Sequence, residues 1–178
     1  DDGISLKEKY DKIKWKNNDN FIEAWKSGKT GYPVVDAAMN QMNTEGYMHN
    51  RGRMTAASVL IKTLRVDWRI GEKYFATQLT DYDIASNNGN WQGISGTGVD
   101  MKPYFRDMNP FIQSEKFDKD CEYIKEWVPE LKDVPARDIH NWYDAHKNYG
   151  SDVTTYPAPI VDYKTAKEEM IQMYKKAK

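Results

Sequence analysis

The chain has one cysteine, Cys121, in 178 residues, so it cannot close an internal disulfide and suits a reducing compartment. Its three histidines, His49, His140 and His146, are scattered, and with a lone cysteine they do not make a zinc set. No apolar run reaches the length of a membrane-spanning helix, and residues 1–30 lack the profile of a secretory signal. Alternating apolar and polar patterns of the strand type are nearly absent. Neither sign of charge is in surplus: 26 Lys and Arg face 27 Asp and Glu, for a net charge of -1. That balance excludes indiscriminate nucleic-acid binding over the whole surface and leaves room for a local basic patch. A soluble, intracellular protein without a resident metal is expected, with no membrane partner; a monomer is expected as well.

What is present is helical and aromatic. The length suits one domain with a real core, and 39% hydrophobic against 30% charged residues excludes a disordered chain. Twelve Tyr, six Trp and five Phe suit either a rigid aromatic core or a stacking or electron-transfer site. Residues 21–26 read as a short helix stopped by Gly28. Pro33 can open a helix at its first position, Val34, Val35, Ala38, Met39 and Met42 follow at helical spacing, and Gly46 can cap the end. Met54, Ala57, Ile61 and Leu64 stripe a helix over about 51–66, and another is expected over 72–79. Phe117, Cys121, Ile124 and Val128 mark a helix ending near Pro129, and 136–146 reads as a further one. Pro157 and Pro159 make an extended crossing. A last helix over about 162–176 is expected to bury Ala166, Met170 and Met173. The class is all-α with long irregular connections, the longest over 81–110, and connections of that length in a compact domain are often functional.

Chemistry concentrates in two segments. Asn50-Arg51-Gly52-Arg53-Met54 opens a helix, where outward backbone N–H groups favour an anion. Spacing of three and four brings Asn50, Arg53 and Met54 to one face with Arg51 beside them; the plain alternative is two ordinary surface arginines. The second segment, Asp81-Tyr82-Asp83-Ile84-Ala85-Ser86-Asn87-Asn88-Gly89-Asn90-Trp91-Gln92, is poor at building a core and well suited to gripping a polar ring system. Asp81 and Asp83 fit a catalytic carboxylate pair, helix caps, or an Asp81–Arg53 ion pair supporting a ligand. Asn87-Asn88-Gly89 is a turn signal, or an amide offered to a heteroaromatic ring. Gly96-Thr97-Gly98 completes no phosphate-binding fingerprint and reads as a loop. Cys121 lies on an apolar stripe and reads as core.

Taken in order, these segments resemble the cofactor-binding domain of the photolyase/cryptochrome family. The matching text includes 25–33 (WKSGKTGYP), Asp36-Ala37-Ala38-Met39, 48–54 (MHNRGRM), Asp67-Trp68-Arg69, Gly71-Glu72, 81–92, Gly96-Thr97-Gly98, Pro103-Tyr104-Phe105-Arg106, Asn109-Pro110 and Trp127-Val128-Pro129-Glu130-Leu131, essentially the whole chain. The chain looks most like the class I cyclobutane pyrimidine dimer photolyases. The resemblance implies a multi-helical FAD-binding domain with Arg53 and Asp81 paired beside the flavin. Tyr82, Asp83 and Phe75 would lie at flavin-side positions, and Asn87 would face flavin N5. It implies an electron relay through Trp91, Trp68 and Trp15, ordered from flavin to surface. Asn50 and Met54 would line the dimer pocket, and Asn50, Arg51, Arg106 and Gln113 would meet DNA. Photolyases extrude their target from the duplex, and a photodimer is already poorly stacked, so its extrusion costs less.

The chain departs from that pattern at Gly93, where photolyases carry a second aromatic; the lost stacking is worth roughly 1–3 kcal/mol. Tyr47 replaces a common Trp. The amino-terminal antenna domain and the FAD phosphate-binding loop have no counterpart in this chain, which is expected to be the carboxy-terminal part of the FAD-binding domain and to hold about half of the flavin site. A second antenna chromophore is expected only in a full-length protein, and a separate amino-terminal portion is the expected partner if the gene is split. The expected function is light-driven repair of DNA bearing pyrimidine dimers, as a deoxyribodipyrimidine photo-lyase. The alternatives are a cryptochrome-type blue-light photoreceptor and a non-catalytic fragment unable to bind FAD alone.

Overall fold

A computed structural model describes residues 15–83, 91 and 109–176. Among the described residues the chain is helical without strands, in agreement with the expected all-α class. Helix α1 (Asp19–Lys26) starts two residues before the apolar signal because Asn18 caps it, its side chain accepting from the N–H groups of Asn20 and Phe21 at 2.9 and 3.1 Å. Helix α2 (Pro33–Glu45) has the bounds the sequence implied, with Pro33 in its first turn and Gly46 left-handed at φ 71° behind it. Pro33, Val35, Asp36, Ala37, Ala38, Met39 and Met42 are all buried, because α2 is the central rod on which other helices pack.

Helix α3 (Asn50–Ser58) does not run on as plain α-helix to residue 66. Its last turn, Val59–Thr63, is π-helical, with the Leu64 N–H bonded to Val59 O at 2.9 Å, and Arg65 then takes a left-handed φ of 58°. The wide turn directs Lys62 inward, where burial, then the charge of Lys167, lowers its ammonium to about 7. Helix α4 (Trp68–Gln78) begins four residues earlier than the expected 72, because Asp67 accepts from the Arg69 N–H at 2.9 Å and caps it there.

The single helix expected through Phe117, Cys121, Ile124 and Val128 is two. Helix α5 (Pro110–Phe117) is capped by Asn109, and α6 (Glu122–Trp127) follows a break. The break is made by Asp118, whose carboxylate accepts from the N–H groups of Tyr123 and Ile124 at 3.1 and 2.9 Å, and by Cys121 at φ 57°. Cys121, Ile124 and Val128 are buried as expected, whereas Phe117 is 50% exposed, so it does not share their stripe. The helix expected over 136–146 is likewise divided, into α7 (Ala136–Ile139) and α8 (Trp142–Ala145), with His140 turned to meet Ser114 Oγ and Lys119 O, each at 2.8 Å.

The crossing around Pro157 and Pro159 closes over the start of α2. Ile160 N–H donates to Thr30 O at 2.9 Å, Trp142 Nε1 donates to Pro157 O at 2.8 Å, and the Tyr32 hydroxyl donates to Val161 O. Gly31 is required here: a Cβ would sit 2.3 Å from Ala158 O, and its φ of 82° disfavours any other residue. Helix α9 (Tyr163–Lys176) buries Ala166 and Met170, while Met173 is only half-buried. Among the described residues, no helix is long and apolar enough to cross a membrane.

Candidate functional site

The amino-terminal end of α3 carries two working faces. His49 caps the helix, its ring Nδ1 accepting from the Arg51 N–H at 3.2 Å, and this fixes the direction in which residues 50–54 project. On one face Arg53 is locked at both ends of its guanidinium. Its Nε donates to Met48 O at 2.6 Å, and its Nη2 meets both carboxylate oxygens of Asp81 at 2.8 and 2.9 Å. Asp81 reaches this place because α4 ends in a turn tied back to α2, with Thr80 N–H bonded to Gly46 O at 3.0 Å. Of the sequence alternatives for Asp81, the ion pair is the one formed. The Arg53 side chain is 17% exposed and that of Asp81 56%, so the pair adds little stability.

Beside the pair, Tyr82 is half-buried and hydrogen-bonds Glu72; burial, then the Glu72 charge, pushes its hydroxyl up to about 12. Asp83 is exposed. Asn50 is exposed, with its amide nitrogen 3.9 Å from the sulfur of the half-buried Met54, so the two do lie on one face. Arg51 takes the other face. Its guanidinium stands 4.2 Å over the Phe117 ring and its Nη1 donates to Gln113 Oε1 at 3.5 Å. Asn87, Gly93, residues 96–98 and Arg106 lie outside the described residues.

The aromatic wall is denser than the sequence indicated. Trp91, 2% exposed, meets Phe75 edge-on at 5.0 Å, and Trp25 stacks on Phe75 at 5.6 Å while lying 6.5 Å from Trp91, so the three rings form one contacting trio. Trp25 had no assigned role in the sequence; its signal was its place at the head of the matching stretch 25–33. Trp68 is buried at the start of α4, and Trp15 is half-buried on a segment joined to the preceding turn, where Lys16 N–H bonds Arg65 O at 2.8 Å and Asn17 Oδ1 accepts from Asp67 N–H at 2.8 Å. The structure therefore brings Phe75 and Trp91 into contact and sets Trp68 and Trp15 on adjoining segments.

Gly71 makes the wall possible. A Cβ there would lie 2.5 Å from Trp91 and 2.6 Å from Leu60. Gly71→Ala is expected to cost about 1–3 kcal/mol by overpacking and to change the tryptophan emission, both read in one urea titration followed by fluorescence. An unchanged midpoint and spectrum would place Trp91 elsewhere.

A cavity of about 450 Å³ opens between α2, α3, α5 and α6, walled by Val34, Ala38, Gly52, Thr55, Tyr123 and the buried Gln113, with the exposed Arg51 and Phe117 at its rim. None of Arg53, Asp81, Phe75 or Trp91 lines it, so it belongs to the Arg51 face. Away from both faces, Cys121 Sγ lies 3.4 Å from His140 Nε2 without forming a nucleophilic pair. That nitrogen also meets Lys119 O, which only accepts, so Nε2 carries the proton, and burial pushes the thiol up to about 12. Among the described residues no group of His, Cys, Asp and Glu could hold a metal ion.

Comparison with known proteins gives the site its context. The family described as the FAD binding domain of DNA photolyase matches residues 3–176. The deoxyribodipyrimidine photo-lyase of Escherichia coli is 50% identical over 170 residues, which are 94% of this chain and 35% of that protein. That of Halobacterium salinarum is 47% identical over 167 residues, 93% of this chain and 35% of that one. Among solved structures, an archaeal photolyase from Sulfolobus tokodaii with two FAD molecules matches at 49% identity with a TM-score of 0.86, over 98% of this chain and 39% of its own. A cryptochrome from Synechocystis matches at 36% identity and a TM-score of 0.81, over 90% of this chain and 34% of its own. The chain thus spans about a third of the length of the curated relatives it matches.

Proposed function

Because this chain belongs to the family of FAD-binding domains of DNA photolyases, we propose that it supplies the helical wall of a site where FAD drives the light-dependent splitting of cyclobutane pyrimidine dimers in DNA. The observation that carries the reading is the Arg53–Asp81 pair, held by both carboxylate oxygens and standing on the same helix end as Asn50 and Met54.

The residues present fit a flavin. A fixed cation and carboxylate offer charge to a ring that carries both N–H donors and carbonyl acceptors, and Tyr82 adds a half-buried phenol beside them. Phe75 and Trp91 form a close-packed aromatic contact. When bound, FAD supplies light absorption and an electron that the dimer returns after its ring opens, with no net redox change. The chain's own part is positional and electrostatic. Arg53 and Asp81 hold charge where the ring would lie, and Trp91, Trp68 and Trp15 relay an electron inward from the surface. Asn50 and Met54 shape the dimer pocket, and Arg51 with Gln113 meets the DNA backbone. Asn87 and Arg106 are assigned to flavin N5 and to DNA on the sequence pattern alone. Proton transfer is not central, so Asp81 and Asp83 need not act as an acid–base pair.

A light-driven repair assay on the flavin-loaded protein tests this. Loss of dimers from irradiated oligonucleotides under near-UV or blue light, and none in the dark, is the expected result. Flavin photoreduction without dimer loss would overturn repair in favour of a photoreceptor, the alternative toward which Gly93 leans.

A further inference from the structure

Arg51 differs from its neighbour Arg53 in one physical respect. Arg53 is neutralised by Asp81, whereas among the described residues Arg51 makes no salt bridge. Its guanidinium is parked instead on two side chains of α5: 4.2 Å over the ring of Phe117, and 3.5 Å from Gln113 Oε1. Phe117 is the last residue of α5, is half-exposed, and takes no part in the core cluster, so packing does not explain a large ring there. Lys116 Nζ lies 5.4 Å from the same ring. Two cations thus crowd one aromatic side chain, whose π face offsets part of their repulsion. The adjacent carboxylate, Asp118, is committed to the N–H groups of Tyr123 and Ile124 and forms no ion pair with Arg51 among the described residues.

We infer that Phe117 is a positioning residue for Arg51: with Gln113 it holds the guanidinium ordered and un-neutralised at the rim of the cavity, ready for a DNA phosphate. A guanidinium held over a ring gives no N–H to it, so the donors not taken by Gln113 stay available for a phosphate. The inference rests on Arg51 being a DNA-backbone contact, and the test separates the two ideas.

Binding of a dimer-containing duplex is measured by fluorescence anisotropy across a salt series, for the wild-type protein, Arg51→Ala, Phe117→Leu, Phe117→Tyr and the double variant Arg51→Ala/Phe117→Leu. Arg51→Ala is expected to weaken binding and to reduce the salt slope by about 0.9, one phosphate contact. Phe117→Leu is expected to weaken binding roughly two- to fivefold, the worth of an exposed cation–π contact, with the slope and the thermal midpoint retained. Phe117→Tyr, which keeps the π face, should bind as wild type. In the Arg51→Ala background, Phe117→Leu should cost nothing further. An equal cost with and without Arg51, or no cost in either, overturns the positioning role while leaving Arg51 on the DNA. Wild-type affinity and slope in Arg51→Ala would instead remove Arg51 from the DNA, and the inference with it.

Discussion

Asp36→Ala is expected to lower the unfolding free energy by about 3–5 kcal/mol, because it strands several buried donors at once. Asp36 is fully buried in the first turn of α2. Its carboxylate accepts from Thr30 N–H at 3.0 Å, Thr30 Oγ1 at 2.6 Å and Gly31 N–H at 3.0 Å, and from the Tyr156 hydroxyl. One side chain therefore ties the α1–α2 connection to the crossing that arrives from the far end of the chain. Alanine leaves the two backbone N–H groups buried without a partner; urea unfolding should show the lower midpoint, and a midpoint within error of wild type would sink the account. Asp36→Asn is expected to be milder, since the amide restores one acceptor but presents N–H toward donors.

The same carboxylate sets a pH dependence. Burial, opposed by its hydrogen bonds, pushes Asp36 up from 3.8 to about 6. The folded state therefore takes up the proton at higher pH than the unfolded chain does. The stability this contributes is fully present below pH 4 and is lost as pH rises through about 6. The gap is worth roughly 3 kcal/mol at about 1.4 kcal/mol per pH unit. Asp162 runs the other way: Thr165 N–H, then the Thr165 hydroxyl, hold it below its usual range, so its contribution is lost on acidification. The difference between wild type and Asp36→Asn, followed from pH 7 to 4, isolates Asp36 and should widen in favour of wild type.

None of this network was legible in the sequence, where Asp36 stood only as the first residue of the matching stretch Asp36-Ala37-Ala38-Met39. What was legible obeys local rules. Pro33 and Gly46 bound α2 because a missing N–H and a left-handed φ are properties of single residues. The Arg53–Asp81 pair was one of three options left open for Asp81, and the turn through Thr80 and Gly46 selects it. The missed boundaries have tertiary causes. The break after Phe117 depends on where the Asp118 carboxylate turns, and the break at His140 on a ring meeting Ser114 from another helix. Apolar spacing predicted a stripe through Phe117 because spacing carries no information about a cation arriving from α3. The π-helical turn at Val59–Thr63 has no composition signal at all.

Trp91→Phe should reduce light-driven reduction of the bound flavin to the background set by an external donor. Trp91 is buried and touches Phe75 at 5.0 Å, which makes it the innermost indole of the proposed relay. Phenylalanine fills most of the space but is far harder to oxidise, so the first hop fails while the fold survives. Trp15→Phe should give nearly the same net loss for a different reason. Trp15 is half-buried where Trp68 is buried, so without it an oxidised indole stays inside and recombines before solvent can reach it. Transient absorption separates the two variants: an indole signal should be missing in Trp91→Phe and present but short-lived in Trp15→Phe. Dimer splitting by chemically pre-reduced protein should be unchanged in both, because the relay recharges the site and does not take part in the splitting. Undiminished photoreduction in Trp91→Phe would move the inner position to Trp25, which stacks on Phe75 at 5.6 Å and donates its indole N–H to Ala56 O at 2.9 Å. Trp25→Phe therefore belongs in the same series, and on the present assignment it should leave photoreduction intact.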